Sequence, residues 1–138
     1  MAFWLKRWGT SEDGYRDGML KKDELSFGDQ ALSRGTRRVQ KGDRLIVTGT
    51  KTHGALVAVA RAAAPVRRSV PTSRWPWRCE ANFSVVCPLA SAPLLEVIRD
   101  PTGKLRRWHR SRSGLHELTA TQFRQARTAI RHAVKRGR

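Results

Sequence analysis

Followed residue by residue, the alternation of apolar and polar positions describes a run of short strands closed by one helix. Phe3-Trp4-Leu5 reads as a first strand ending near Lys6-Arg7-Trp8. Gly9 to Lys22 is polar, carries Gly9, Gly14 and Gly18, and reads as a long loop. Leu25-Ser26-Phe27-Gly28 returns toward the core, and the basic stretch Gln30 to Lys41 has room for a helical turn. Lys41-Gly42-Asp43 is a turn signal, because Gly tolerates positive φ and Asp bonds nearby backbone. It feeds Arg44-Leu45-Ile46-Val47, residues that favour a pleated, buried surface. Gly49 and Gly54 then bracket a connection, and every residue from Ala55 to Ala60 is apolar. Such a run suits a strand buried on both faces or one crossing a small barrel. A short buried helix is the competing reading, and Val57 and Val59 tilt toward strand. The two strands form a hairpin at the core of a small β-rich domain.

Beyond the hairpin, Ala62-Ala63-Ala64-Pro65 ends the strand, since Pro has no N–H for the ladder. Val66 to Arg74 is a second basic loop. Trp75-Pro76-Trp77-Arg78-Cys79-Glu80-Ala81 opens a new strand, continued by the alternating Phe83, Val85 and Cys87 and stopped by Pro88. Leu94 to Ile98 reads as a strand or a short helix, and Asp100-Pro101-Thr102-Gly103 as a turn. Lys104 to Arg112 is very basic, with Trp108 inside it. The closing element is the clearest. Thr119 stands three residues before Gln122, the spacing of a capping box. Phe123, Ala126, Ile130, Ala133 and Val134 follow with helical periodicity, and Arg124, Arg127, Arg131 and Lys135 occupy the opposite face.

Length and charge narrow the class. At 138 residues the chain suits one domain, 1–138, with a core of its own. Lys plus Arg number 28 against 11 Asp plus Glu, a net charge of +17 that favours polyanions as partners. The apolar runs fall far short of the ~20 residues that a bilayer span needs. Met1 to Arg7 has no basic leader followed by an apolar block, so a cytoplasmic setting is expected, with Cys79 and Cys87 as reduced thiols. The spacings Cys79/Cys87 and His109/His116 match no zinc module, and neither metal nor cofactor is expected. There is no Gly-rich phosphate loop and no acidic pair of the kind that holds catalytic divalent metals. His53, His109, His116 and His132 have no nucleophile placed beside them by sequence, so a non-catalytic role is expected. Tryptophan is abundant, with five residues, and the rings lie beside cations: Arg7-Trp8, Arg74-Trp75, Trp77-Arg78 and Arg106-Arg107-Trp108. Rings next to guanidinium groups suit a surface that stacks bases and holds phosphates.

The order of these features resembles the EVE domain, a PUA-like relative of the YTH and ASCH domains. The resemblance rests on Phe3-Trp4-Leu5, on Lys41-Gly42-Asp43 with its strand, on Gly54 and the small-apolar strand, on Trp75-Pro76-Trp77-Arg78, and on Leu115 to Thr119 before the helix. It implies an α+β fold: a small PUA-like β-barrel with flanking helices and a C-terminal amphipathic helix. It also implies a non-catalytic nucleic-acid reader that accepts a flipped, modified base, such as a modified cytosine in DNA, in an aromatic pocket. Trp4, Trp8, Ser26, Phe27, Asp29, Trp75 and Trp77 are the candidate pocket residues. Arg34, Arg37, Arg38, Arg67, Arg68, Arg74, Arg106, Arg107, Arg110 and Arg112 are the candidates for phosphate contacts. DNA is favoured over RNA as partner, with a restriction-type nuclease subunit as a further expected partner. The alternatives are an RNA-binding PUA-like protein acting on tRNA or rRNA, and an ASCH-like ribonuclease using Lys or Arg residues without metal, with Lys41 as the residue to test.

Overall fold

A computed structural model describes residues 1–8, 17, 20, 24–27, 39–49, 54–68, 77–110 and 114–136. The described strands are β1 (Phe3–Trp8), β2 (Glu24–Phe27), β3 (Arg44–Gly49), β4 (Ala55–Ala62), β5 (Arg67–Arg68), β6 (Trp77–Val86) and β7 (Leu115–Leu118). Two helices follow the same chain order, α1 (Lys104–Arg110) and α2 (Ala120–Arg136).

The expected hairpin lies inside the sheet. β3 and β4 pair antiparallel, from Arg44 opposite Arg61 to Gly49 opposite Ala55. Ala55 to Ala60 are all buried, as an uninterrupted apolar run requires when both faces of a strand are covered. The strand order is β2-β6-β4-β3-β1-β7, with β5 also paired to β6. β1 enters between β3 and β7, parallel to the first and antiparallel to the second.

Long-range hydrogen bonds, beyond what the local turn signal implies, set where β1 docks. Gly42 takes a φ of 92°, where its missing Cβ avoids strain. Asp43 is turned inward at 3% exposure. Its Oδ2 accepts from the Gln40 N–H at 2.9 Å and from the Trp4 indole N–H at 3.0 Å. Its Oδ1 accepts from the Ala2 N–H at 3.0 Å. The sequence reading had Asp43 bonding its local backbone, and it does, but the same carboxylate also anchors the first strand.

The sheet has a packed cluster on each face. One holds Leu5, Ile46, Leu56, Val59, Ile98, Leu105, Trp108 and Leu118 against Phe123, Ala126, Ile130 and Ala133 of α2. The capping box forms as its spacing predicts: Thr119 Oγ1 accepts from the Gln122 N–H at 3.1 Å, and Gln122 Oε1 accepts from the Thr119 N–H at 3.0 Å. The other cluster holds Trp4, Leu25, Val39, Leu45, Val47, Val57, Ala60, Val66 and Cys79, with Trp8, Trp77 and Phe83 partly buried against it.

One expectation needs correction. Among the described residues β2 and β7 remain the two ends of the strand order, so the sheet is open rather than closed into a barrel. The reason lies in β6. Its later half, Ala81 to Val86, pairs with β4, while Trp77 to Glu80 pairs with β2 and Trp77-Arg78 with β5. Leu94 to Ile98, read as a strand or a short helix, takes the second form. Leu94 makes a single bridge to Ala55, and Leu95–Val97 is a 3-10 turn. The basic segment at Lys104 is helical, capped by Asp100, whose Oδ2 accepts from the Leu105 N–H at 2.6 Å.

Candidate functional site

The residues expected to read a base fall in different parts of this frame. Trp4 lies in the core at 3% exposure, with its N–H committed to Asp43. Its role is to hold the turn, since a ring enclosed on that scale presents no face to a ligand. Trp8, two residues along the same strand, is half-buried on the same sheet face. Its register partner in β3 is Gly49, which has no side chain to cover that flank. Between them on this face lies Lys6, a cation two residues from each ring in sequence. It is 4% exposed, and its Nζ sits 5.4 Å from the centre of the Trp8 ring and donates to the Arg7 carbonyl at 3.0 Å. Burial lowers the Lys6 amine to about 7, because a charged ammonium is poorly solvated there.

A second grouping is built by β2, β6 and β5. Pairing sets Phe27 opposite Trp77, and Trp77 opposite Arg68, so the three share one register row. The next row is Ser26, Arg78 and Arg67. Five of the sequence candidates therefore meet on three adjacent strands. Trp77 is half-buried, Arg67 is exposed, and Arg78 is tied to Glu24 by a 3.0 Å ion pair. Asp29, Trp75, Arg34, Arg37, Arg38, Arg74 and Arg112 lie outside the described residues, as do the side chains of Ser26, Phe27, Arg68 and Arg110.

Trp108 is differently placed. It is 6% exposed, tilted at 45° against His116 with 5.8 Å between ring centres, and covered by the Arg7 guanidinium at 4.7 Å. Arg7 Nη2 also donates to the Trp108 carbonyl at 3.0 Å. Helical geometry explains the separation from its sequence neighbours: Trp108 packs inward on α1 while Arg106 and Arg107 are exposed. These two arginines sit on the α2 side of the sheet, away from the row at Trp77. Burial also lowers the His116 imidazole, and the opposing pull of Asp100 is smaller. Cys79 is buried, and desolvation, with Asp43 and Glu80 nearby, pushes its thiol up to about 11, which makes it a poor nucleophile. No cluster of His, Cys, Asp and Glu suited to a metal occurs among the described residues, and none of their helices is long and apolar enough to cross a membrane.

No protein-family model matches the chain, and no curated protein matches it. Solved structures do. The YTH domain of the Zygosaccharomyces rouxii MRB1 protein, in complex with N6-methyladenosine RNA, superposes with a TM-score of 0.62 at 14% identity, over 95% of this chain and 87% of that one. The Agrobacterium tumefaciens protein Atu2648 gives 0.60 at 16% identity, over 94% and 93%. The Rhodopseudomonas palustris protein Rpa0253 gives 0.61 at 12%, over 96% and 94%. The chain has a YTH/PUA-like fold of the α+β class.

Proposed function

We propose that this protein is a non-catalytic, EVE-like reader that binds nucleic acid and accommodates one modified base against Trp77, with neighbouring arginines on the phosphates. The observation that carries this reading is the register row Phe27–Trp77–Arg68, which puts aromatic and cationic residues side by side. The fold supports it, since it is shared with a YTH domain solved on N6-methyladenosine RNA. The charge of +17 supports a polyanionic partner. Energetically, a base leaving its stack costs a few kcal/mol, and each base–aromatic contact returns ~1–3 kcal/mol. Trp8, half-buried on the same sheet face, is a second ring suited to a flanking nucleotide.

The test is binding to matched oligonucleotides with and without one modified base. N6-methyladenosine in RNA is the first probe, and 5-substituted cytosine in DNA is the second. A preference for one modified strand is expected, and Trp77→Ala should remove it with loss of ~1–3 kcal/mol of affinity while the fold is retained. Equal binding of every modified and unmodified pair would overturn the reading.

A further inference from the structure

The helix that closes the fold carries its own cationic surface, and the sheet enlarges it. Arg124, Arg127, Arg131 and Lys135 recur at helical spacing on α2. Two strand residues join that row. Arg44 begins β3 and Arg61 lies near the end of β4, and the two are register partners. Arg44 is in turn the partner of Phe3, whose ring meets Phe123 of α2 at 5.0 Å. Arg127 lies over the same Phe123 ring at 5.5 Å. Phe3 and Phe123 thus form an apolar floor, and Arg44 and Arg127 are brought together above it. Arg61, Arg124 and Arg131 are exposed, while Arg44 and Arg127 are half-buried.

Among the described residues this surface has no acidic partner, and none of these five arginines makes an ion pair. The Nε of Arg44 is buried with no hydrogen-bond acceptor. Arg124 reaches only a neighbouring hydroxyl, Thr121 Oγ1 at 3.4 Å. Burial first, then the like charges of Arg131, Arg44 and Arg124, all push Arg127 down. Gathering guanidinium groups in this way destabilises the free protein, and an orphaned donor adds to the cost. Both terms are relieved by a ligand that brings several negative oxygens at fixed intervals. A phosphodiester backbone does so, and guanidinium groups match phosphate geometry bidentately.

The surface lies on the α2 face of the sheet, opposite the face that carries the base-reading row. Asn82 of β6 is the register partner of Arg61, and Trp77 lies five residues earlier on the same strand. At ~3.3 Å per residue that is roughly 17 Å along the strand, and the odd offset turns Trp77 to the other face, so a backbone joining the two must also round the sheet and span more than about five nucleotide steps. We propose that Arg44, Arg61, Arg124, Arg127 and Arg131 form a phosphate-binding track for the same nucleic acid, engaged several nucleotides away from the base read at Trp77. The proposal rests on the reading of the protein as a nucleic-acid reader. It adds that recognition requires a flanking segment of backbone as well as the base.

Salt titrations separate the two ideas. The slope of log K against log salt counts phosphate contacts, at ~0.9 per contact on B-form duplex and ~0.7 on single strands. The triple variant Arg61→Gln, Arg127→Gln, Arg131→Gln should lower that slope by roughly 2–3 and weaken binding at 0.1 M salt at least about tenfold. The probe is a 20-nucleotide RNA with one central N6-methyladenosine, beside its unmodified form. The ratio of the two affinities should be unchanged in the variant. A trinucleotide carrying the same modified base should bind variant and wild type alike, since it cannot span the distance. Arg131→Gln alone, at an exposed position, should cost about 0.7–0.9 of slope, and the Lys replacements at 127 and 131 should keep most of it. A slope unchanged in both the triple and the Arg131 variants overturns the track, as does an equal loss on the trinucleotide. A lowered slope with no preference for the modified base leaves the track standing and removes the base-reading role.

Discussion

Replacing Asp43 by alanine is the sharpest test of how the N-terminal strand is held. The carboxylate serves three donors: the indole N–H of Trp4 at 3.0 Å, the backbone N–H of Ala2 at 3.0 Å and that of Gln40 at 2.9 Å. The first is buried, and leaving its N–H without an acceptor costs about 1–3 kcal/mol. The other two are partly buried, so water replaces part of what is lost, and each adds about 0.5–1 kcal/mol. The expected loss is therefore about 3 kcal/mol. With a urea dependence of ~1.5–2 kcal/mol per molar, the unfolding midpoint falls by about 1.5–2 M. Asp43→Asn should lose about 2 kcal/mol. Both oxygens accept hydrogen bonds, so either orientation of the amide sets an NH2 group against an N–H. Combining Asp43→Ala with Trp4→Phe, which deletes the buried donor, should recover about 1–2 kcal/mol as coupling. The assay is urea unfolding followed by tryptophan fluorescence and by circular dichroism. A midpoint within error of wild type for Asp43→Ala, or a coupling of zero, would refute the reasoning, because the buried indole would then not depend on this acceptor.

Two further outcomes concern stability. Lys6 is held at about 7 in the folded protein against 10.5 for the free side chain, so the unfolded chain binds the proton more readily between these values. Stability is complete above pH 10.5 and falls as pH drops toward 7, by at most ~1.4 kcal/mol per unit, and Lys6→Met should flatten this slope and raise the midpoint at neutral pH. A Lys6→Met protein with the wild-type pH profile would contradict that. Thr119→Ala removes one half of the reciprocal cap and should cost about 1 kcal/mol, read as lower thermal stability with the sheet intact; no change would mean that the α2 N-terminus is held by packing alone.

How far the residues announced this architecture depends on which contacts are local. The β3–β4 hairpin, the stop at Pro88, the turn before Gly103 and the capped final helix all rest on neighbours in sequence, and each occurs as expected. The parallel pairing of β1 with β3 does not, because nothing in Phe3 to Trp8 encodes which strand lies alongside. Helix α1 was read only as a basic segment, since its apolar positions Leu105 and Trp108 are too few to establish a period. The rings were harder still. Trp4, Trp8, Trp77 and Trp108 look alike in sequence, yet Trp4 and Trp108 are enclosed while Trp8 and Trp77 are half-buried, although Trp4, Trp8 and Trp77 share one sheet face. The row at Trp77 emerged from register alone, and Arg44 and Arg61 joined the helix stripe only once the sheet was assembled.

The lodging of β1 between β3 and β7 has a consequence for synthesis. β1 leaves the ribosome before β3 and can be received by it, but its other edge stays open until Leu115–Leu118 has been made. About 70 residues separate those events, roughly 3–14 s at ~5–20 residues per second. During that interval the nascent chain displays an unclaimed apolar edge, a template for pairing with a neighbouring polypeptide. Chains cut short before residue 115 should keep that edge for good and be recovered as aggregates, whereas chains that reach Leu118 should not.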